Sequence, residues 1–268
     1  MPDDRVTYVG HATVLVELGG TRLLTDPLLG SRVGPLRRHG AAPVPGIASE
    51  LDAVLVSHLH RDHADVPSLR SIDHDVPVLV PPGAARFASR QGFSDVRELA
   101  PGESSAVGAA TLTAVEARHE VSAHHPLPVR FMSALVAQSA PEAGRVAAAV
   151  GFLVEGGGRR VYFAGDTDLF EGMERLGPVD LALLPVWGWG PTLGPGHLDP
   201  ARAARAAALI SPRIVVPIHW GALYPLGLAR LRPGPLHAPP REFARRVREL
   251  APQVEVRVLE PGESTSLA

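Results

Sequence analysis

The 268-residue sequence contains neither cysteine nor lysine. Without cysteine there is no disulfide frame and no thiolate ligand, so any bound metal must rest on histidine and carboxylate. All 26 basic residues are arginines, dispersed among 28 acidic ones for a formal net charge of −2. They form no stripe or block, which leaves a nucleic-acid partner without an electrostatic footprint. No apolar run approaches the roughly 20 residues needed to cross a bilayer. The opening MPDDRVTYVG is acidic and lacks a basic n-region and an apolar h-region, so the expectation is a cytoplasmic protein with no transmembrane segment.

What the chain does have is enough apolar residue, 45%, for one large domain over residues 1–268. YVGHATVLVEL and TRLLTDPLL flank Gly19 and Gly20 and read as a hairpin. Short runs recur after it: DAVLVS, VPVLVP, TLTAVEA, GFLVE, RRVYFAG, LALLPV, RIVVPI and VEVRVLE. Each is bounded by Gly, Pro or polar residues, as strands are. PARAARAAALI follows Asp199, an N-cap with Pro200 at the first helical position, and REFARRVREL aligns Phe243, Val247 and Leu250 on one helical face. The pattern is one of sheets covered by helices. LAPGESS (99–105) and LEPGEST (259–265) echo each other beside strand-like segments and suggest two related halves. Residues 121–150 carry the weakest pattern and read as a long loop or lid. EGGGRR has no following helix, so it reads as a hairpin turn and not a phosphate cradle.

The densest chemistry is SHLHRDHAD, residues 57–65, directly behind DAVLVS. Loops at strand ends are where scaffolds usually hold reactive side chains. His58 and His60, two apart, can converge on one ion from an extended segment; Asp62 and His63 point differently and suit a second ion nearby. Three further residues end strand-like runs and can complete the sets: His119, Asp166 and His219.

In order and spacing these motifs resemble the metallo-β-lactamase-fold hydrolase superfamily. GHAT (10–13), GDTD (165–168), GHLDP (196–200) and IHWG (218–221) are similar to the branch containing N-acylphosphatidylethanolamine phospholipase D and L-ascorbate-6-phosphate lactonase. The resemblance implies an α/β fold, a four-layer αβ/βα sandwich of two mixed sheets packed between outer helices. It implies His58, His60 and His119 on a first metal, Asp62, His63 and His219 on a second, and Asp166 bridging them. Two divalent ions, zinc first and manganese or iron as alternatives, would activate a water against a phosphodiester, lactone or related small molecule. Asp62, Asp166 and His197 are the residues expected to act in catalysis, with His197 a hydrogen-bond donor or general acid on the substrate side. His11, Asp26, Trp187 and Trp189 are expected to touch substrate or to orient ligands.

Other classes leave their own marks. A flavodiiron-type redox enzyme calls for Glu where His60 stands and for a flavodoxin-like domain. A mononuclear iron oxygenase of the same fold keeps many of these ligands and differs in metal content. A non-catalytic metal-stabilised module has no need of an open two-metal centre. Oligomeric state is not written in the sequence.

Overall fold

The computed structural model describes residues 4–119, 148–188 and 196–268. The first strands are β1 (Arg5–Gly10), β2 (Thr13–Leu18), β3 (Thr21–Thr25), β4 (Arg32–Val33), β5 (Leu36–Arg38), β6 (Ala53–Leu55), β7 (Val78–Val80) and β8 (Val96–Glu98). They are followed by β9 (Ser104–Val107), β10 (Ala110–Glu116), β11 (Val150–Gly156), β12 (Arg159–Phe163), β13 (Leu181–Pro185), β14 (Ile214–Ile218), β15 (Leu223–Pro225), β16 (Glu255–Val256) and β17 (Ser264–Ser266). The α-helices among the described residues are α1 (Val66–Arg70), α2 (Ala85–Arg90), α3 (Pro200–Ile210), α4 (Leu228–Leu231) and α5 (Ala238–Leu250).

Gly19–Gly20 and Gly157–Gly158 all have positive φ and close the β2–β3 and β11–β12 hairpins in the way two-residue turns require. The two hairpins belong to two sheets with one plan. One runs β17-β1-β2-β3-β6-β7-β8 and the other β9-β10-β11-β12-β13-β14-β16. In each, the first three pairings are antiparallel and the last three parallel. The sequence echo falls at equivalent points, leading into the edge strands β9 and β17. Glu103 accepts from the Ala100 N–H at 2.8 Å and Glu263 from the Glu260 N–H at 2.9 Å. Gly102 and Gly262, at φ +94° and +98°, then donate to neighbouring strands.

Period-two alternation decides which side chains fill which layer. Val14, Val16 and Leu23 join Phe152, Val154 and Phe163 in the core between the sheets, whereas Leu15 and Leu24 pack outward with Leu69 and Phe87 of α1 and α2. Helices α3 and α5 cover the other sheet through Ala203, Ala207, Phe243 and Val247. These are the four αβ/βα layers that the resemblance implies. Asp199 caps α3 as expected, accepting from the Arg202 N–H at 2.8 Å. Leu250 departs from expectation: at the last position of α5 it is 53% exposed, while Phe243 and Val247 are buried. VEVRVLE contributes only the two-residue β16, because it lies at a sheet edge and pairs with β14 alone. The small sheet β15-β5-β4 has no strong sequence signature. The segment read as a lid lies largely outside the described residues, and its last residue, Val150, already belongs to β11.

Candidate metal centre

The candidate residues gather where strands end. His11 follows β1, Asp26 β3, His58 to His63 β6, His119 β10, Asp166 β12 and His219 β14; His197 lies just before α3. They form two touching groups. The ligand atoms of His58, His60 and His119 lie within 4.8 Å of one another, as do those of His11, Asp62, His63 and His219. Asp166 lies between them: its Oδ1 is 3.2 Å from His219 Nε2, its Oδ2 3.4 Å from His63 Nε2, and it also falls within 4.8 Å of His119 and His197.

The tautomers follow from what each outer nitrogen meets. Asp26 is fully buried and meets only donors: the Ser57 N–H at 2.7 Å, the Ser57 Oγ–H at 2.6 Å and His63 Nδ1 at 2.7 Å. Ser57 Oγ, having given its proton to Asp26, accepts from His58 Nδ1 at 3.0 Å. One carboxylate therefore orients a histidine of each group. His119 Nδ1 donates to the Gly196 carbonyl at 2.9 Å and His219 Nδ1 to the Trp187 carbonyl at 2.6 Å. The Nε2 lone pairs of His58, His63, His119 and His219 are thus turned inward. His60 presents Nδ1 to the same space, 2.9 Å from His58 Nε2 and 3.1 Å from His119 Nε2.

Such convergence calls for cations. His63 and His219 face each other Nε2 to Nε2 at 3.0 Å, and two lone pairs at that distance repel unless a proton or metal ion sits between them. Asp166 Oδ1 is buried and receives no hydrogen bond. Burial drives the imidazoles of His119 and His219 down to about 3 and those of His58 and His60 in the same direction, keeping them neutral at physiological pH. Burial alone would raise Asp62 and Asp166. The nearby imidazoles outweigh it, His63 foremost for Asp62 and His219 for Asp166, and hold both well below the usual carboxylate range. For His63 burial is likewise outweighed, here by Asp166, Asp62 and Asp26, so that positive charge is drawn to this point. Neutral imidazoles and ionised carboxylates are the donor set of a hard-to-borderline divalent metal.

His11 donates from Nε2 to Asp62 Oδ2 at 2.9 Å, an orienting contact on a candidate ligand. Trp187 serves through its carbonyl, and its buried ring packs 5.8 Å from Tyr224. Trp189 lies outside the described residues. Ser57 carries no ligand signature of its own in the sequence; a small polar residue between a strand and its first histidine is the available signal.

The backbone is strained here. Of five described non-glycine residues with positive φ, three are His11, Asp26 and His219, at 60°, 35° and 62°. Each such conformation costs on the order of 1–3 kcal/mol and persists only where its surroundings impose it. Gly165, before Asp166, has φ +59°, and a Cβ there would lie 2.6 Å from Ser57 Cβ. Gly165→Ala is expected to lower stability by about 1–3 kcal/mol, read from the denaturation midpoint; an unchanged midpoint would mean that the two loops can part freely.

A family model described as a β-lactamase superfamily domain matches residues 21–220, a span that takes in every candidate residue except His11. A UPF0173 metal-dependent hydrolase of Aeropyrum pernix is 30% identical over 97% of this chain and 96% of its own. The N-acyl-phosphatidylethanolamine-hydrolyzing phospholipase D 1 of Caenorhabditis elegans is 32% identical over 82% of this chain and 64% of its own length. The solved structure of a metallo hydrolase from Ignicoccus hospitalis shares the fold, with a TM-score of 0.67 at 24% identity, covering 98% of this chain and 97% of that one. The chain belongs to the metallo-β-lactamase-fold metal-dependent hydrolases of the β-lactamase superfamily.

Proposed function

We propose that the protein hydrolyses a phosphodiester, lactone or related small molecule with two divalent metal ions, zinc before manganese or iron. The observation that carries this reading is the position of Asp166 between two groups of inward-facing ligand atoms. His58, His60 and His119 would hold one ion, Asp62, His63 and His219 the other, and Asp166 both. Two buried carboxylates held in the ionised form, Asp62 and Asp166, face this space, and metal ions there would offset their charge. When bound, such a pair supplies a water acidic enough to attack at neutral pH and positive charge for the developing oxyanion.

The chain's own residues then position and exclude. Asp26 and Ser57 fix ring orientation, His11 fixes Asp62, and burial of the ligands limits bulk water to the open side. His197 occupies that side: its side chain is 23% exposed and its Nε2 is 3.4 Å from Asp166 Oδ2, so it can donate to substrate or leaving group. A small substrate fits the charge distribution. Among the described residues many arginines pair locally with acids, as in Arg22–Glu17, Arg97–Asp95, Arg159–Asp180 and Arg246–Glu242. No helix among the described residues is long and apolar enough to cross a membrane.

Turnover of bis(p-nitrophenyl) phosphate and of a simple lactone, before chelation, after it and after zinc is returned, tests the reading. Loss and recovery of either activity is expected; activity indifferent to chelation would contradict it. His197→Ala is expected to keep the metals and lower kcat by on the order of 10²–10⁴-fold. Unchanged kcat would remove His197 from the reacting site.

A further inference from the structure

The three strained residues of the centre, His11, Asp26 and His219, sit on three separate loops; one buried side chain braces the first two, and the backbone of the same residue meets the third. Arg38, at the end of β5, is 9% exposed. Its Nε donates to the Gly30 carbonyl at 3.0 Å, its Nη2 to the Leu28 carbonyl and its Nη1 to the Val9 carbonyl at 3.4 Å. Leu28 and Gly30 continue the loop that begins at Asp26, and Val9 lies two residues before His11. The backbone of Arg38 pairs with Leu223 of β15, and the next N–H, that of His39, donates to the Ala222 carbonyl at 2.7 Å. That fixes the segment leaving His219.

The sequence makes room for this arrangement. A Cβ at Gly10, whose φ is +123°, would lie 2.8 Å from Arg38 Nη1, so the glycine of GHAT permits the guanidinium to approach. A buried cation without need of its directionality would be replaceable by an apolar side chain of like volume. What a guanidinium adds is a planar fork of donors able to reach several carbonyls at once.

We propose that Arg38 is a positioning residue that holds His11, Asp26 and His219 in left-handed backbone conformation and so shapes the group formed by Asp62, His63 and His219. This rests on the two-ion reading above. His11 orients Asp62, Asp26 orients His63, and His219 belongs to the group itself; all three routes end there. Of the other group, only His58 is reached, at one remove, through Ser57.

Crystal structures of Arg38→Met and Arg38→Lys, with calorimetric zinc titration of each chelated protein beside the wild type, test this. In Arg38→Met at least one of the three φ angles is expected to leave the left-handed region, and one of the two zinc ions to lose about tenfold or more in affinity with the other unchanged. Arg38→Lys keeps the charge but not the fork, and is expected to show a smaller loss confined to the same ion. Retention of all three φ angles and both affinities in a folded variant would overturn the proposal. So would equal weakening of both ions, the mark of general loosening, or failure of both variants to fold. A wild type binding a single zinc would instead contradict the two-ion reading, and the φ angles alone would then decide the role of Arg38.

Discussion

Asp166→Ala is expected to bind no more than one metal ion per chain and to lose about 10³-fold or more in kcat/KM while remaining folded. Asp166 turns its carboxylate inward between the two groups, with oxygens 3.2 Å from His219 and 3.4 Å from His63 and a place beside His119 and His197. Removing it takes away a shared ligand and leaves two sets of neutral imidazoles with one carboxylate, Asp62, facing them. Charge stabilisation by a metal is worth several kcal/mol in the transition state, which is about three decades in rate. The fold should survive, because Asp166 Oδ1 has no hydrogen bond to lose and the contacts of Oδ2 to His63 and His197 are long, at 3.4 Å. Elemental analysis, circular dichroism and steady-state kinetics on one preparation check it; a variant with full metal and full activity would show that Asp166 does not bridge.

Asp26→Ala should act in the opposite way, first on the fold. Its carboxylate takes three buried donors, from the Ser57 main chain, the Ser57 hydroxyl and His63 Nδ1. Each orphaned donor costs about 1–3 kcal/mol, so on the order of 3–9 kcal/mol of stability should go, much of what a domain possesses. Asp26→Asn separates orientation from stability. The amide keeps the volume but sets an NH2 against either Ser57 or His63, which favours the tautomer of His63 whose Nε2 carries the proton. Metal affinity should then drop about 10–100-fold with the fold intact. Zinc titration and thermal melts of both variants check this, and near wild-type behaviour of Asp26→Ala would remove Asp26 from the centre.

Much of this centre was legible because metal ligation demands residue types that are costly elsewhere. Three histidines and an aspartate in six residues, behind a buried strand, have few other uses, and His119, Asp166 and His219 each end a strand, where the pattern marked them. The parts that hold the ligands were less legible. Asp26 was readable as an orienting residue, but nothing in sequence distinguishes its Ser57 partner from a turn serine. Arg38 is one arginine among 26; only its burial and three carbonyl contacts give it a role. Left-handed φ at His11, Asp26 and His219 leaves no local trace either, since tertiary contacts impose it against intrinsic preference.

In the fold, β runs with clear punctuation became strands, and Asp199–Pro200 opened a helix where its capping chemistry placed it. The PGES echo marked equivalent edge-strand turns because a side-chain cap and a positive-φ glycine are needed at both. Patterns failed at the margins, where partners were missing: Leu250 at a helix end, β16 at a sheet edge, and β5 and β15, which pair through contacts distant in sequence.

The most direct measurement of the central claim is metal content per chain by mass spectrometry, on protein purified without chelator and again after equilibration with zinc. Two ions per chain, both lost on chelation and both recovered, is the expected result. Saturation at a single ion, and above all a single iron with no hydrolytic turnover, would contradict a two-metal hydrolase and favour a mononuclear oxygenase on the same fold.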